Sequence, residues 1–208
     1  MKGLVMKDLY IIRDYWLLLA MALIAVGVGM SIIVSPWVVT PIFATILGSV
    51  AVSTIQTDRT CNWHQLAATM PVRRGAFVSA KFALYALALA AGLAIGMLTG
   101  GTVRSIQGAF DLDEAVLYLC MSLCIALLPG SISIPCALKL SPERSTALLM
   151  LSYIAASGLF AAVAAINRFL LPAPFDFKLV CAFMAALSVC AYGAAWRACV
   201  RRCGNVPA

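Results

Sequence analysis

Residues 16 to 34 contain no Asp, Glu, Lys or Arg, and the same is true of five further runs, 37–56, 82–100, 115–137, 146–166 and 179–196. About 20 apolar residues in a helix are enough to cross the hydrocarbon core of a bilayer, so each run predicts one transmembrane span. A chain that is 63% hydrophobic and 11% charged lacks the polar surface a soluble domain of its length needs. These runs therefore predict an all-α, polytopic membrane helical bundle of six spans, with residues 1–208 forming a single transmembrane domain.

The charges that remain lie in the short breaks between runs. Lys2, Lys7, Arg13, Arg59, Arg73, Arg74, Lys81, Lys139, Arg144, Arg197, Arg201 and Arg202 fall on one side of the predicted bundle, against Arg104, Arg168 and Lys178 on the other. The positive-inside rule makes the first side, with both termini, cytoplasmic. The formal charge of +7 is accounted for in this way, and no basic helix or stripe long enough for nucleic acid occurs. Spans one and two are separated only by Ser35-Pro36, which predicts a tight hairpin.

Ahead of the first span, residues 1–15 form an amphipathic pattern. At 100° per residue, Leu4, Val5, Leu9, Ile11, Ile12, Tyr15 and Trp16 share one half of the wheel, and Lys2, Lys7, Arg13 and Asp14 the other. Such a helix lies flat at the inner membrane surface. Asp8 is the exception, a carboxylate inside the apolar arc, and either pairs with a basic residue or reaches out to water. The first run exceeds a signal-peptide core of about 15 residues and passes directly into the second, so it reads as a retained anchor.

The spans are also defined by what they lack. No ionisable residue lies at bilayer depth, which disfavours an ion-coupled carrier. No G-x-x-x-x-G-K-[ST] loop is present, so no ATP site of the usual kind is expected in the chain itself. None of the eight cysteines falls in a predicted external loop, so a disulfide framework is not expected. Cys61 and His64, with Cys199 and Cys203, come nearest to a metal-ligand set, but paired C-x-x-C knuckles are missing and no metal is expected.

Within the spans, Ala88, Gly92, Gly96 and Gly100 recur every four residues and form a smooth stripe suited to close helix packing, internal or between subunits. Thr45, Ser49 and Ser53, continued by Gln56, form a polar ladder that either bonds its own helix or lines a substrate path. Pro129-Gly130 and Pro135 predict a kink or break in the fourth span.

The one long polar insertion on the basic side is 57–81, TDRTCNWHQLAATMPVRRGAFVSAK. Asn62 or Thr60 can cap a short helix from Trp63 to about Thr69, which Pro71 ends. A short helix held between two spans and presenting Trp63, His64 and Leu66 is a rigid knob. Asp58, Trp63, Pro71-Val72-Arg73-Arg74, Val78 and Lys81 resemble the acidic-Asn-x-Trp…Pro-x-x-Arg-x-x-x-Val-x-x-Lys stretch of small six-span permeases of type-2 ATP-binding-cassette (ABC) exporters. Met1-Lys2-Gly3-Leu4 with Lys7-Asp8-Leu9, and Ser133-Ile134-Pro135 followed by Lys139 and Glu143-Arg144, extend the resemblance along most of the chain. Arg59, and Leu140-Ser141-Pro142 in place of a Gly-containing turn, depart from the pattern.

The resemblance implies a permease subunit in the cytoplasmic membrane of a prokaryote, paired with a second permease and with separate ATPase subunits that hold ATP and Mg. It makes residues 1–15 an elbow helix and Trp63 to Met70 a coupling helix seated in the ATPase. Asp58, Trp63, His64, Leu66, Pro71, Arg73 and Arg74 become the coupling residues, with Arg73, Arg74 and Lys81 meeting acidic groups on the ATPase or anionic lipid heads. The cargo would be a peptide, a lipid or a hydrophobic small molecule. Two other classes stay open at this point: a channel or carrier working without ATP, and a membrane assembly protein that transports nothing.

Overall fold

The computed structural model describes residues 2–61, 74–108, 110–138, 140–167 and 176–204. Within them are seven α-helices and, among the described residues, no strand: α1 Lys2–Asp14, α2 Trp16–Ile33, α3 Val39–Thr60, α4 Arg74–Ile106, α5 Leu112–Ala137, α6 Pro142–Ala165 and α7 Phe177–Gly204. Six of these, α2 to α7, are long and apolar enough to cross a membrane, and the protein is a multi-pass membrane protein. A single 3-10 turn, Pro36–Val38, joins α2 to α3 and makes the hairpin that Ser35-Pro36 predicts.

Local chemistry explains the helix ends. Gly108, at φ 67°, takes the left-handed conformation that closes the turn after α4, a region in which a Cβ is penalised. Asp111 then caps α5: its side chain accepts a hydrogen bond from the Asp113 amide at 2.9 Å, and Asp113 and Glu114 complement the positive end of the helix dipole. Pro142 opens α6 at a position where no amide hydrogen is needed.

α3 and α4 run antiparallel in the most extensive interface of the bundle, and the small-residue stripe makes their approach possible. A methyl group added to Gly96 would stand 2.6 Å from Thr40 Cα, and one added to Gly92 would stand 2.8 Å from Ala44 Cα. Farther along, Gly100 abuts the Pro36 carbonyl. The stripe thus faces inward onto α3, with Ala88 packed at the edge of the main core. That core is built from Val52, Ile55, Phe82, Tyr85 and Leu89 together with Ile134 of α5.

Two sequence expectations change. The helices outrun the spans: α3 continues past residue 56 to Thr60, and α4 starts at Arg74 rather than 82 and ends at Ile106 rather than 100. Bilayer thickness sets the length of an apolar run, whereas a helix persists for as long as its backbone bonds and packing are supplied. The insertion 57–81 is therefore helical at both ends, and the connection between α3 and α4 is short. Nor is α5 broken, since Pro129 and Pro135 both lie inside one continuous helix. In the same stretch the Tyr85 hydroxyl of α4 donates to the Ala126 carbonyl at 2.5 Å, an interhelical bond one turn before Pro129.

α2 stands at the margin. None of its residues is buried. A helix apolar on every side and open on most of them is stable in hydrocarbon and a liability in water.

Candidate functional site

The strongest concentration of charge within the bundle lies where α3 ends and α4 begins. Asp58 sits in the last turn of α3, Lys81 two turns into α4, and both are buried. Lys81 Nζ lies 2.6 Å from Asp58 Oδ2 and 2.7 Å from Asp8 Oδ2, so one ammonium bridges α4 to both α3 and α1. Lys7, itself a quarter exposed, donates to Asp58 Oδ1 and lies 3.5 Å from Asp8 Oδ1. The ring of Phe77 lies 5.7 Å from the Lys81 ammonium, a cation–π contact on its remaining side.

The set contains two cations and two anions, and that balance makes it tolerable. An isolated charge taken out of water is expensive, while a paired and hydrogen-bonded one recovers most of the cost. Balanced sets of this kind add little stability relative to apolar packing. Where such sets are retained, their best-attested use is to specify register.

The surrounding polar contacts hold the same region. Arg59 Nη2 donates to the Leu138 carbonyl at 2.7 Å, tying the end of α3 to the end of α5. Gln56 Nε2 reaches Ser145 Oγ at 3.0 Å and Thr146 Oγ1 at 3.1 Å on α6. Tyr192 of α7 donates to the Phe82 carbonyl at 2.7 Å, and Trp196 Nε1 to Ser79 Oγ at 3.2 Å. α1, α3, α4, α5, α6 and α7 are thus tied together by polar contacts at the pole where α3 ends and α4 begins.

Of the coupling residues expected from sequence, Trp63, His64, Leu66, Pro71 and Arg73 lie outside the described residues, and Arg74 opens α4. Asp58 is turned inward to Lys7 and Lys81. Lys81, expected to face a partner or lipid heads, is instead buried between two carboxylates of its own chain, which corrects that expectation. Asp8, the misfit of the amphipathic wheel, is explained by the same contacts, since it shares the Lys81 ammonium with Asp58. The sequence marks Asp8 as out of place but does not choose its partner, because a separation of 73 positions between Asp8 and Lys81 leaves the pairing to tertiary structure.

The polar ladder is occupied with its own helix. Thr45, Ser49 and Ser53 donate to the carbonyls of Ile42, Ile46 and Val50 at 2.8, 2.7 and 2.7 Å. A groove of about 740 Å³ does exist, but it runs between α2 and the α3–α4 pair, and no ladder residue lines it. Its walls are mostly apolar, with Leu23, Val28, Phe43, Leu47 and Ile95 among them, and Ser31, Thr99 and Gln107 are the polar residues that line it.

No curated protein and no solved structure matches the chain. A family model does, the ABC-2 family transporter protein, over residues 3–202, a stretch that takes in all six membrane helices and the charged cluster. The chain belongs to the ABC-2 family of transporter proteins, as a permease.

Proposed function

We propose that this chain is the membrane-spanning subunit of an ABC exporter and converts ATP hydrolysis by a separate ATPase into movement of its own helices. ABC-2 membership implies association with such an ATPase. On this reading ATP and Mg sit on the partner, two permease subunits face each other, and both termini lie in the cytoplasm of a prokaryotic cell. The cargo is a peptide, a lipid or a hydrophobic small molecule, in keeping with mostly apolar walls.

One observation carries the reading: residues 62–73 join α3 to α4, and those helices form the closest-packed pair in the bundle. At Gly92 and Gly96 the two backbones approach directly, with no side chain of α4 interposed. A displacement applied to the connection therefore moves α3 and α4 as one body, because packed interiors transmit strain instead of absorbing it. Trp63 and Leu66 supply the apolar contact through which an ATPase would grip, and Arg73 and Arg74 the charge.

The test is Trp63→Ala in a chain co-expressed with its ABC ATPase and reconstituted in vesicles. Membrane insertion should be unchanged, and ATPase recovered with the purified permease should fall on the order of tenfold, as expected for an aromatic anchor at an interface. Undiminished recovery would refute the assignment.

A further inference from the structure

We infer that α1 is a structural clamp on the coupling apparatus, with Lys7 and Asp8 as positioning residues that hold the roots of α3 and α4 in register. This rests on the coupling role proposed for residues 62–73, and it assigns a role to a helix that the amphipathic pattern explains only as a membrane anchor.

Burial is the first argument. A helix that merely floats at a membrane surface keeps its charged groups in water or among lipid heads. Asp8 is 1% exposed, shielded by its own chain. Its Oδ2 accepts from Lys81 at 2.7 Å, inside the α3–α4 junction. One helical turn later on the same face, Ile12 packs against the main hydrophobic core. α1 is therefore keyed into the bundle by one ionic and one apolar contact at consecutive turns.

Stoichiometry is the second argument. The Asp58–Lys81 pair is neutral by itself and would satisfy charge balance without α1. Lys7 and Asp8 bring a second neutral pair, and besides their own 3.5 Å contact each makes a shorter one outside α1, Asp8 with Lys81 and Lys7 with Asp58. Two crossed ion pairs of opposite polarity fix both the position and the rotation of α1 against the junction, which a single pair would not do. Buried ionic sets retained at a net cost relative to apolar packing are best attested where they specify register. Here the register is that of α3 and α4, the two helices on either side of the proposed coupling segment, so α1 sets the positions of Asp58 and Lys81 from which that segment departs.

The variant that separates clamp from anchor is Lys7→Met with Asp8→Asn. It removes one cation and one anion together, leaves Asp58 and Lys81 paired, and preserves the amphipathic pattern. Cys61, an exposed free thiol that caps α3 immediately before the connection, is a native labelling site. A nitroxide would be attached there in a chain bearing Cys190→Ala, Cys199→Ala and Cys203→Ala, in vesicles and without any ATPase. For the double variant the rotational correlation time of the label should fall by a factor on the order of three, because local order at a helix end follows the contacts that hold it. The melting temperature should stay close to that of the parent, since a balanced pair was removed.

The charge exchange Asp8→Lys with Lys81→Asp should return the label toward the parent mobility, whereas Lys81→Asp alone should not. An immobile label in the double variant, or an exchange variant no better ordered than Lys81→Asp alone, would overturn the clamp. Either result would leave the Trp63 pull-down unaffected, so failure of the clamp and failure of the coupling reading are told apart.

Discussion

The ring of Tyr85, on α4, fills the space that a side chain at Gly130 of α5 would need, with Cζ 2.6 Å from where that Cβ would stand. The same ring lies against Gly48 of α3, and its hydroxyl donates to the Ala126 carbonyl. One aromatic side chain thus joins three helices and supplies a donor beside Pro129. Gly130→Ala forces the ring out of its slot and should destabilise the protein by about 1–3 kcal/mol, the usual cost of overpacking a filled interior. Tyr85→Phe keeps the ring, loses only the hydrogen bond, and should cost about 1 kcal/mol. Thermal unfolding in detergent checks the order, and a Gly130→Ala melting temperature equal to the parent's would show that Tyr85 does not occupy this slot.

The stripe on α4 makes a comparable prediction. Gly96→Leu places a branched side chain where Thr40 Cα already lies 2.6 Å from the first added carbon. Because the obstacle is backbone, no rotamer relieves it and the two helices must separate. The variant should insert into the membrane but unfold at a lower temperature, with a loss at least as large as the roughly 1–3 kcal/mol of ordinary overpacking. Unchanged melting would mean the stripe faces lipid.

The fold was largely legible in the sequence because hydrocarbon imposes a coarse and unforgiving filter. Runs without charge, from Trp16 onward, mark the spans, and Ser35-Pro36 marks the hairpin. What sequence could not reveal were relationships set by tertiary register. Pro129 and Pro135 predict a kink or break when read locally, and only the structure shows that α5 runs on through both, with Tyr85 of another helix donating to Ala126 one turn before Pro129. Lys81 looked like one more cytoplasmic cation until Asp8 and Asp58 were seen to flank it. The wheel did identify Asp8 as out of place, which is the one signal by which the buried cluster could have been found. Trp63 and its neighbours remain a sequence reading, since the structure describes α3 to Cys61 and α4 from Arg74.

The buried cluster should show strong coupling in a double-mutant cycle. Asp58→Asn removes one anion and leaves Lys7 and Lys81 facing Asp8 alone, so one positive charge is uncompensated. Breaking a buried ionic set in this way typically costs about 3–5 kcal/mol. Adding Lys81→Met to Asp58→Asn restores the balance, with Lys7 left beside Asp8. The double variant should therefore be more stable than Asp58→Asn alone, the reverse of what additivity requires. Urea or thermal unfolding of the four proteins measures the effect. A cycle that closes additively would place these groups in water.

By contrast, the ion pair at the opposite pole should matter little. Arg104 Nη2 lies 3.0 Å from Glu114 Oε2, with side chains 23% and 31% exposed, where solvent screens the attraction. Glu114→Gln should change stability by no more than about 1 kcal/mol, less at high salt. A loss comparable to that of Asp58→Asn would mean that this end of the bundle is also dry.

Sidedness is the prediction on which the proposed mechanism turns. Cys61 is exposed and lies at the last turn of α3, beside the connection to α4, so its location reports the location of residues 62–73. Twelve of the fifteen basic residues fall on that side in the sequence reading of the topology, and the charge bias that orients membrane proteins predicts a cytoplasmic location for it. A membrane-impermeant maleimide applied to intact cells should therefore leave Cys61 unmodified, and the same reagent should label it once the membrane is opened. The Cys61→Ser chain serves as the control for the other thiols. Labelling in intact cells would put the connection on the outer surface, beyond the reach of any ATPase, and no arrangement of α1, α3 and α4 could then couple it to ATP hydrolysis.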